Sequence, residues 1–169
     1  MWGVGTRLTT AWDHPALGGV YKLAAVRRRG SSWENKVKLS EQAIKTTTPG
    51  IQQVRRFRSA TEFIGDAIYD LSRPVPASFT VVDLADPTRR THFGPETPSE
   101  DLLVAIFRRG QLVYQPPPLD QVRERARQQI ALLHPDIRQI VNPHQYPVGL
   151  EMGLHELKTK LVLQARGES

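Results

Sequence analysis

Glycine and proline set the scale of anything this chain can build. They supply 12 and 13 of the 169 residues, slightly above an average domain, so turns are frequent and elements short. The length suits one domain or two small ones. Apolar residues make up 39% and charged residues 24%, which argues against a wholly disordered chain. There are no cysteines, so disulfide scaffolds, thiol nucleophiles and cysteine-based zinc sites are excluded; the absence fits a reducing, cytosolic setting. No apolar run approaches the roughly 20 residues a membrane helix needs. The segment Met1-Trp2-Gly3-Val4-Gly5 lacks the basic-then-apolar order of a signal peptide.

Up to about residue 96 the chain reads as strand-rich. Val20, Tyr21 and Leu23 favour a strand over 18–26, and 36–39 is its expected hairpin partner across a polar loop. A Thr-rich turn over 45–50 closes on Pro49-Gly50, and 51–58 alternates as a strand. Further short strands are expected at 67–71, 79–84 and 89–93, divided by Pro74, Pro76 and the turn Asp86-Pro87-Thr88. The character changes at Thr97-Pro98-Ser99-Glu100, which combines a cap, a first-turn proline and a glutamate three residues on. These signals predict a helix through Phe107 ended by Gly110. Asp120 is expected to cap a second helix, with Val122, Ala126, Ile130 and Leu133 as its apolar stripe. A short third helix follows His134-Pro135. A last one starts near Pro147, with Leu150, Leu154, Leu157 and Leu161 on one face.

Gly3-Val4-Gly5-Thr6 is the sharpest chemical signal. Paired glycines admit positive φ and close backbone approach, successive amides converge on an anion, and the Thr6 hydroxyl adds a donor. A helix starting near Arg7 would present its positive end to the same anion. On pattern alone a plain strand-to-loop corner is the commoner role of such a turn. The five histidines (His14, His92, His134, His144 and His155) show no metal-ligand spacing, so no metal site is expected, and His134 and His144 suit caps or surface positions. No acidic pair stands out as an acid–base couple, so no catalytic residue is assigned. The net charge of +6 comes in clusters at Arg27-Arg28-Arg29, Arg55-Arg56, Arg89-Arg90, Arg108-Arg109 and Arg123/Arg125/Arg127. None is interleaved with aromatics, so they read as solvated or subunit surface rather than nucleic-acid contacts. Lys38, Lys45, Arg55 and Arg56 surround the Thr-rich turn and are read the same way.

Several segments, in this order, carry a resemblance. Gly3-Val4-Gly5-Thr6 is followed by Leu17-Gly18-Gly19-Val20-Tyr21-Lys22-Leu23, Lys38-Leu39-Ser40-Glu41, Lys45-Thr46, Pro49-Gly50 and Gln53-Val54-Arg55-Arg56. Later come Asp101-Leu102-Leu103, Arg109-Gly110-Gln111-Leu112, Val122-Arg123, Asn142-Pro143 and Gln145-Tyr146-Pro147-Val148. Over nearly its whole length the chain resembles the C-terminal part of the nicotinate phosphoribosyltransferases. The resemblance implies an α+β piece of an irregular α/β-barrel enzyme, strand-rich in its first half and helical in its second. Residues 1–17 would end the barrel, 18–96 form the strand-rich segment and 97–169 the helical one. It implies a cytoplasmic homodimer that joins nicotinate to phosphoribosyl pyrophosphate with ATP hydrolysis and magnesium, giving nicotinate mononucleotide for NAD synthesis. Gly3, Val4, Gly5 and Thr6 would hold the 5′-phosphate, as phosphate sites sit at a barrel's C-terminal face.

Family members are much longer. Most barrel strands, the phosphorylated histidine and the nicotinate-binding arginine would lie before Gly3, and none of the five histidines here matches that phosphohistidine. The chain is therefore expected to be a fragment, a truncated reading frame or a split subunit, inactive alone. The alternative is a non-catalytic module that supplies an interaction surface or complements a separate partner half.

Overall fold

A computed structural model describes residues 5, 6, 10, 21–40 and 46–167. Its centre is a six-stranded sheet assembled from two hairpins, one edge strand and one late strand. The first hairpin is β3 (Gln52–Arg58) against β4 (Phe63–Asp70), antiparallel from Gln52↔Asp70 to Arg58↔Phe63 with an irregularity at Phe57/Arg58. The second is β5 (Phe79–Asp83) against β6 (Arg90–Phe93). These hairpins do not pair with each other. Strand β10 (Val148–Glu151) lies between them, parallel to β4 and antiparallel to β5, while β7 (Ser99–Asp101) covers the outer edge of β3. The spatial order is β6-β5-β10-β4-β3-β7.

One face of this sheet packs an aromatic cluster. The Phe57 ring stacks on Phe93 at 4.1 Å and meets Phe79 edge-on at 5.3 Å; Tyr69 meets Phe79 edge-on at 5.4 Å. Each such pair adds about 0.5–1.5 kcal/mol beyond its area burial. Ala67 and Val81 complete the cluster. Helix α2 (Met152–Arg166) follows β10 directly, and Leu150 and Leu154, at the strand end and helix start, are both buried. Glu151 makes the junction: its carboxylate accepts from the Gly153 and Leu154 amides, satisfying two helix N–H groups. Helix α1 (Leu119–Ala131) contributes no buried residue. It is tied to the sheet through its C-terminal end, where Phe63 donates its amide to the Leu132 carbonyl at 2.8 Å.

The strands expected at 51–58, 67–71, 79–84 and 89–93 are present, the second beginning four residues earlier, at Phe63. The hairpin before them is smaller than expected: β1 (Ala25–Val26) pairs with β2 (Glu34–Asn35), and 36–39 is not strand. Residues 18–20 of the expected strand lie outside the described residues.

The helix expected from Thr97 does not form. Ser99, Glu100 and Asp101 pair with Phe57, Arg56 and Arg55, and the Leu102 amide donates to the Val54 carbonyl. The Gln53 side chain then brackets Leu103, accepting its amide and donating to its carbonyl. Tertiary pairing satisfies the backbone groups that a helix would have used, and the local cap signals lose. Gly110 is the second turn residue of a two-residue hairpin between β8 (Phe107–Arg108) and β9 (Gln111–Leu112). Arg109 has φ +50° and Gly110 φ +79°, the doubly left-handed geometry that suits the strands' twist.

Two further helix starts move. Pro118 occupies the cap position of α1, with Asp120 inside the first turn, and Val122 and Ile130 of the expected stripe remain exposed. The third helix is a single 3₁₀ turn, Pro135–Ile137, capped by His134 Nδ1 accepting from the Asp136 amide. The last helix starts at Met152, because 148–151 is held as strand on both sides.

Gly149 permits that central strand. A Cβ there would stand 2.2 Å from the Val82 carbonyl oxygen, a backbone atom with no room to move. Gly149→Ala is expected to destabilise the chain by about 3 kcal/mol or more, read as a drop in the urea midpoint followed by tryptophan fluorescence. A variant within about 1 kcal/mol of the parent would mean that β10 is not wedged against β5.

Candidate functional site

Adjacent residues of a strand point to opposite faces, so Arg55 and Arg56 leave β3, which lies between β4 and β7, on opposite sides. Each meets a carboxylate carried by the residue directly across from it: Asp101 on β7 for Arg55, Asp66 on β4 for Arg56. Arg55 donates through Nε and Nη2 to the two Asp101 oxygens at 2.8 and 3.0 Å. Arg56 does the same to Asp66 at 2.9 and 2.8 Å. These are two-point forks, the strongest arginine–carboxylate geometry. Each carboxylate also accepts from a tyrosine hydroxyl, Tyr69 to Asp101 at 3.1 Å and Tyr146 to Asp66 at 2.8 Å. Arg56 further donates to Gln129 of α1 at 3.0 Å.

The electrostatics follow from these contacts. Hydrogen bonds to Asp101 and Asp66 raise the Arg55 and Arg56 pKa values above the ordinary guanidinium range. The Arg55 fork holds Asp101 below the usual carboxylate range. Burial, reinforced by the hydrogen bond to Asp66, pushes the Tyr146 hydroxyl well up. Arg55 also lies over the Tyr69 and Phe79 rings at 5.2 Å, and Arg56 over Phe63 at 4.6 Å. Both forks join structural groups to each other. They bind edge strand β7, helix α1 and the 146 region to the sheet, a clamping role rather than acid–base chemistry. Among the described residues no group of three His, Asp or Glu is placed to hold a metal ion.

Of the turn singled out for phosphate, Gly3 and Val4 lie outside the described residues. Gly5 and Thr6 are exposed, a side chain at Gly5 would meet nothing within 4 Å, and the Thr6 carbonyl accepts from the Thr10 hydroxyl at 2.8 Å. His14 also lies outside the described residues. His92 Nδ1 sits 3.3 Å from the Thr80 hydroxyl, and His134 and His144 both face Asp136. Arg55 and Arg56 are corrected from solvated surface to paired clamps. Only the strand register, which puts each opposite an aspartate, reveals their partners. A groove of about 590 Å³ runs along α2, lined among others by Arg90, Met152, His155, Lys160 and Leu163.

Fold and site together define an α+β domain whose interior charges fasten strands and helices. Residues 51–158 match the family model described as the nicotinate phosphoribosyltransferase C-terminal domain. The chain belongs to that family. It is 32% identical over 173 residues to nicotinate phosphoribosyltransferase of Bacillus subtilis, covering 95% of this chain and 35% of that protein. It is 30% identical to the human enzyme, over 94% of this chain and 29% of that one. The crystal structure of human nicotinic acid phosphoribosyltransferase superposes with a TM-score of 0.61 at 26% identity, over 69% of this chain and 24% of that one. The chain thus spans about a third of the length of the curated relatives it matches.

Removing one partner of the buried fork strands the other charge. Asp66→Ala is expected to cost about 3 kcal/mol or more, measured by chemical denaturation; a loss under about 1 kcal/mol would show that the Arg56 fork does not clamp the sheet. The second fork is read by pH. Because the folded pKa of Asp101 is depressed, its contribution is present above about pH 4 and is lost as pH falls further. The parent should exceed Asp101→Asn in stability at neutral pH, and the gap should close under acid. A gap constant with pH would remove the ionised fork as its cause.

Proposed function

We propose that the chain serves as the C-terminal portion of an enzyme that joins nicotinate to phosphoribosyl pyrophosphate, with ATP hydrolysis, to give nicotinate mononucleotide for NAD synthesis. The observation that carries this is the family match over 51–158, with relatives of that name aligning along nearly all of the chain. In this reading the amides of Gly3, Val4, Gly5 and Thr6 donate to the 5′-phosphate oxygens, the Thr6 hydroxyl adds a donor, and a cytoplasmic homodimer is the working form. The Arg55 and Arg56 forks brace the sheet of the same domain. No helix among the described residues is long and apolar enough to cross a membrane.

Magnesium does not fit the described residues. Among them no three-ligand cluster is present, and Asp66 and Asp101 are engaged by arginines, so no step is routed through the ion. ATP likewise has no assigned contact.

The alternative, a non-catalytic interaction module, draws support from one feature. The stretch from Leu103 through the β8–β9 hairpin exposes Leu103, Val104, Ile106, Phe107, Leu112 and Val113, a surface expected to be covered by other polypeptide.

Two measurements test the main reading. The purified 169-residue chain, given nicotinate, phosphoribosyl pyrophosphate and ATP, is expected to form no nicotinate mononucleotide above blank. Product at a steady rate would place the whole reaction within these residues. In an enzyme completed by the rest of the family's chain, Gly5→Val should raise KM for phosphoribosyl pyrophosphate about tenfold or more and leave KM for nicotinate near its starting value. An unchanged KM for phosphoribosyl pyrophosphate would make the turn purely structural.

A further inference from the structure

Residues 103–131 are built into regular elements yet bury almost nothing. From Leu103 to Gln128 every residue but Tyr114 is exposed, although the stretch forms the β8–β9 hairpin and most of helix α1. Its ties to the sheet lie at its two ends. The Gln53 side chain holds Leu103, Arg56 holds Gln129, and the Phe63 amide holds the Leu132 carbonyl. A lone two-stranded hairpin is marginally stable in water, and so is a 13-residue helix with no buried residue.

The hairpin is apolar on both faces. Phe107 pairs with Leu112, so their side chains point to one side. Ile106 and Val113, joined by a backbone hydrogen bond of 2.8 Å, point to the other. Phe107 and Leu112 are 66% and 62% exposed, and Ile106 and Val113 are exposed as well. A flat neighbour would cover one pair and leave the other wet, so the occupant has to close around the hairpin as a cleft. On α1, Leu119, Val122 and Ile130 lie on one helix face and add an exposed apolar stripe.

Charge decides between occupants. The stretch carries Arg108, Arg109, Arg123, Arg125 and Arg127 against only Asp120 and Glu124. A second copy pairing through this surface would bring like charges together, whereas a cleft bordered by carboxylates complements it. The family match takes in the whole stretch, and the chain spans about a third of the length of its relatives. An enzyme of that length has ample further chain to supply such a cleft. We propose that residues 103–131 are a docking tongue whose hairpin enters an apolar, carboxylate-bordered cleft on the remainder of a nicotinate phosphoribosyltransferase chain. The proposal rests on the reading of these residues as the C-terminal portion of such an enzyme.

Amide hydrogen exchange tests it, comparing the 169-residue chain with the same chain completed by the part of the Bacillus subtilis relative that the alignment leaves uncovered. Amides of 106–113 and 122–131 should exchange at least about 100-fold more slowly in the completed enzyme, while those of β4 change by less than about tenfold. Phe107→Ser with Leu112→Ser should abolish that protection. The same pair should leave the urea midpoint of the 169-residue chain unchanged, because both side chains are already exposed there. Arg123→Glu with Arg127→Glu should weaken the protection about tenfold or more. The docking is overturned if 103–131 exchanges equally in the two proteins, if the Phe107 and Leu112 variant lowers the midpoint, or if the arginine variant keeps full protection. It is also overturned if the 169-residue chain sediments as a dimer with the stretch already protected, which would make a second copy the occupant. Should the completed enzyme fail to fold, the chain alone decides: the stretch has to exchange near its unstructured rate, and protection in a monomer overturns the docking. Protection gained without nicotinate mononucleotide formed upholds the docking and removes only the catalytic reading; product without protection does the reverse.

Discussion

Four residues hold the two halves of the sheet together. Strand β10 pairs with β4 on one side and β5 on the other, and among the described residues no other pairing joins the two hairpins. Without it each hairpin would present an open edge, and an isolated two-stranded ribbon is marginally stable in water. The partners lie about 80 residues apart in sequence, Val148 against Asp66 for instance. Loop-closure entropy grows only slowly with length, so this separation taxes folding rate more than final stability. Because Glu151 both ends β10 and caps α2, strand and helix form as one unit, with Leu150 and Leu154 sealing the junction.

The two arginine forks act on a different quantity. A buried ion pair repays its own desolvation poorly, and apolar replacements often do as well. A fork does fix register. Arg55 and Arg56 need carboxylates on opposite faces of β3, and shifting β7 by one residue would carry Asp101 to the wrong face. The arrangement specifies where a three-residue edge strand sits, something its apolar content is too small to do. The same pairing is what draws Ser99–Asp101 out of the helix that its own residues favour.

This explains which elements are legible in the chain and which are not. Strands β3, β5 and β6 announce themselves because alternation and turn residues are local properties. β7 and β10 are defined by partners at the far end of the fold, so Pro98, Glu100 and the leucines after Pro147 read as helix to any local rule. The hairpin tip at Arg109-Gly110 was visible as a stop signal, but the two-residue geometry it closes was not. The site divides the same way. The Gly3–Thr6 pattern stands out by composition. The aspartate partners of Arg55 and Arg56 exist only once the strands are in register.

The division of the arginines is also a division of roles. Arg55 and Arg56 are neutralised by carboxylates inside the fold, whereas the clusters at 27–29, 89–90, 108–109 and 123–127 are exposed. Among the described residues these arginine clusters therefore lie at the surface. Paired charges add nothing to the field a ligand meets at a distance; unpaired ones set it. A domain that fastens its strands with two arginines and leaves the described clusters in solvent keeps a positive potential around itself at no cost to its core. An anion approaching the exposed arginine clusters meets that field, with the rate falling as salt screens it. The clamp and the field draw on one residue type, and position along β3 is what separates them.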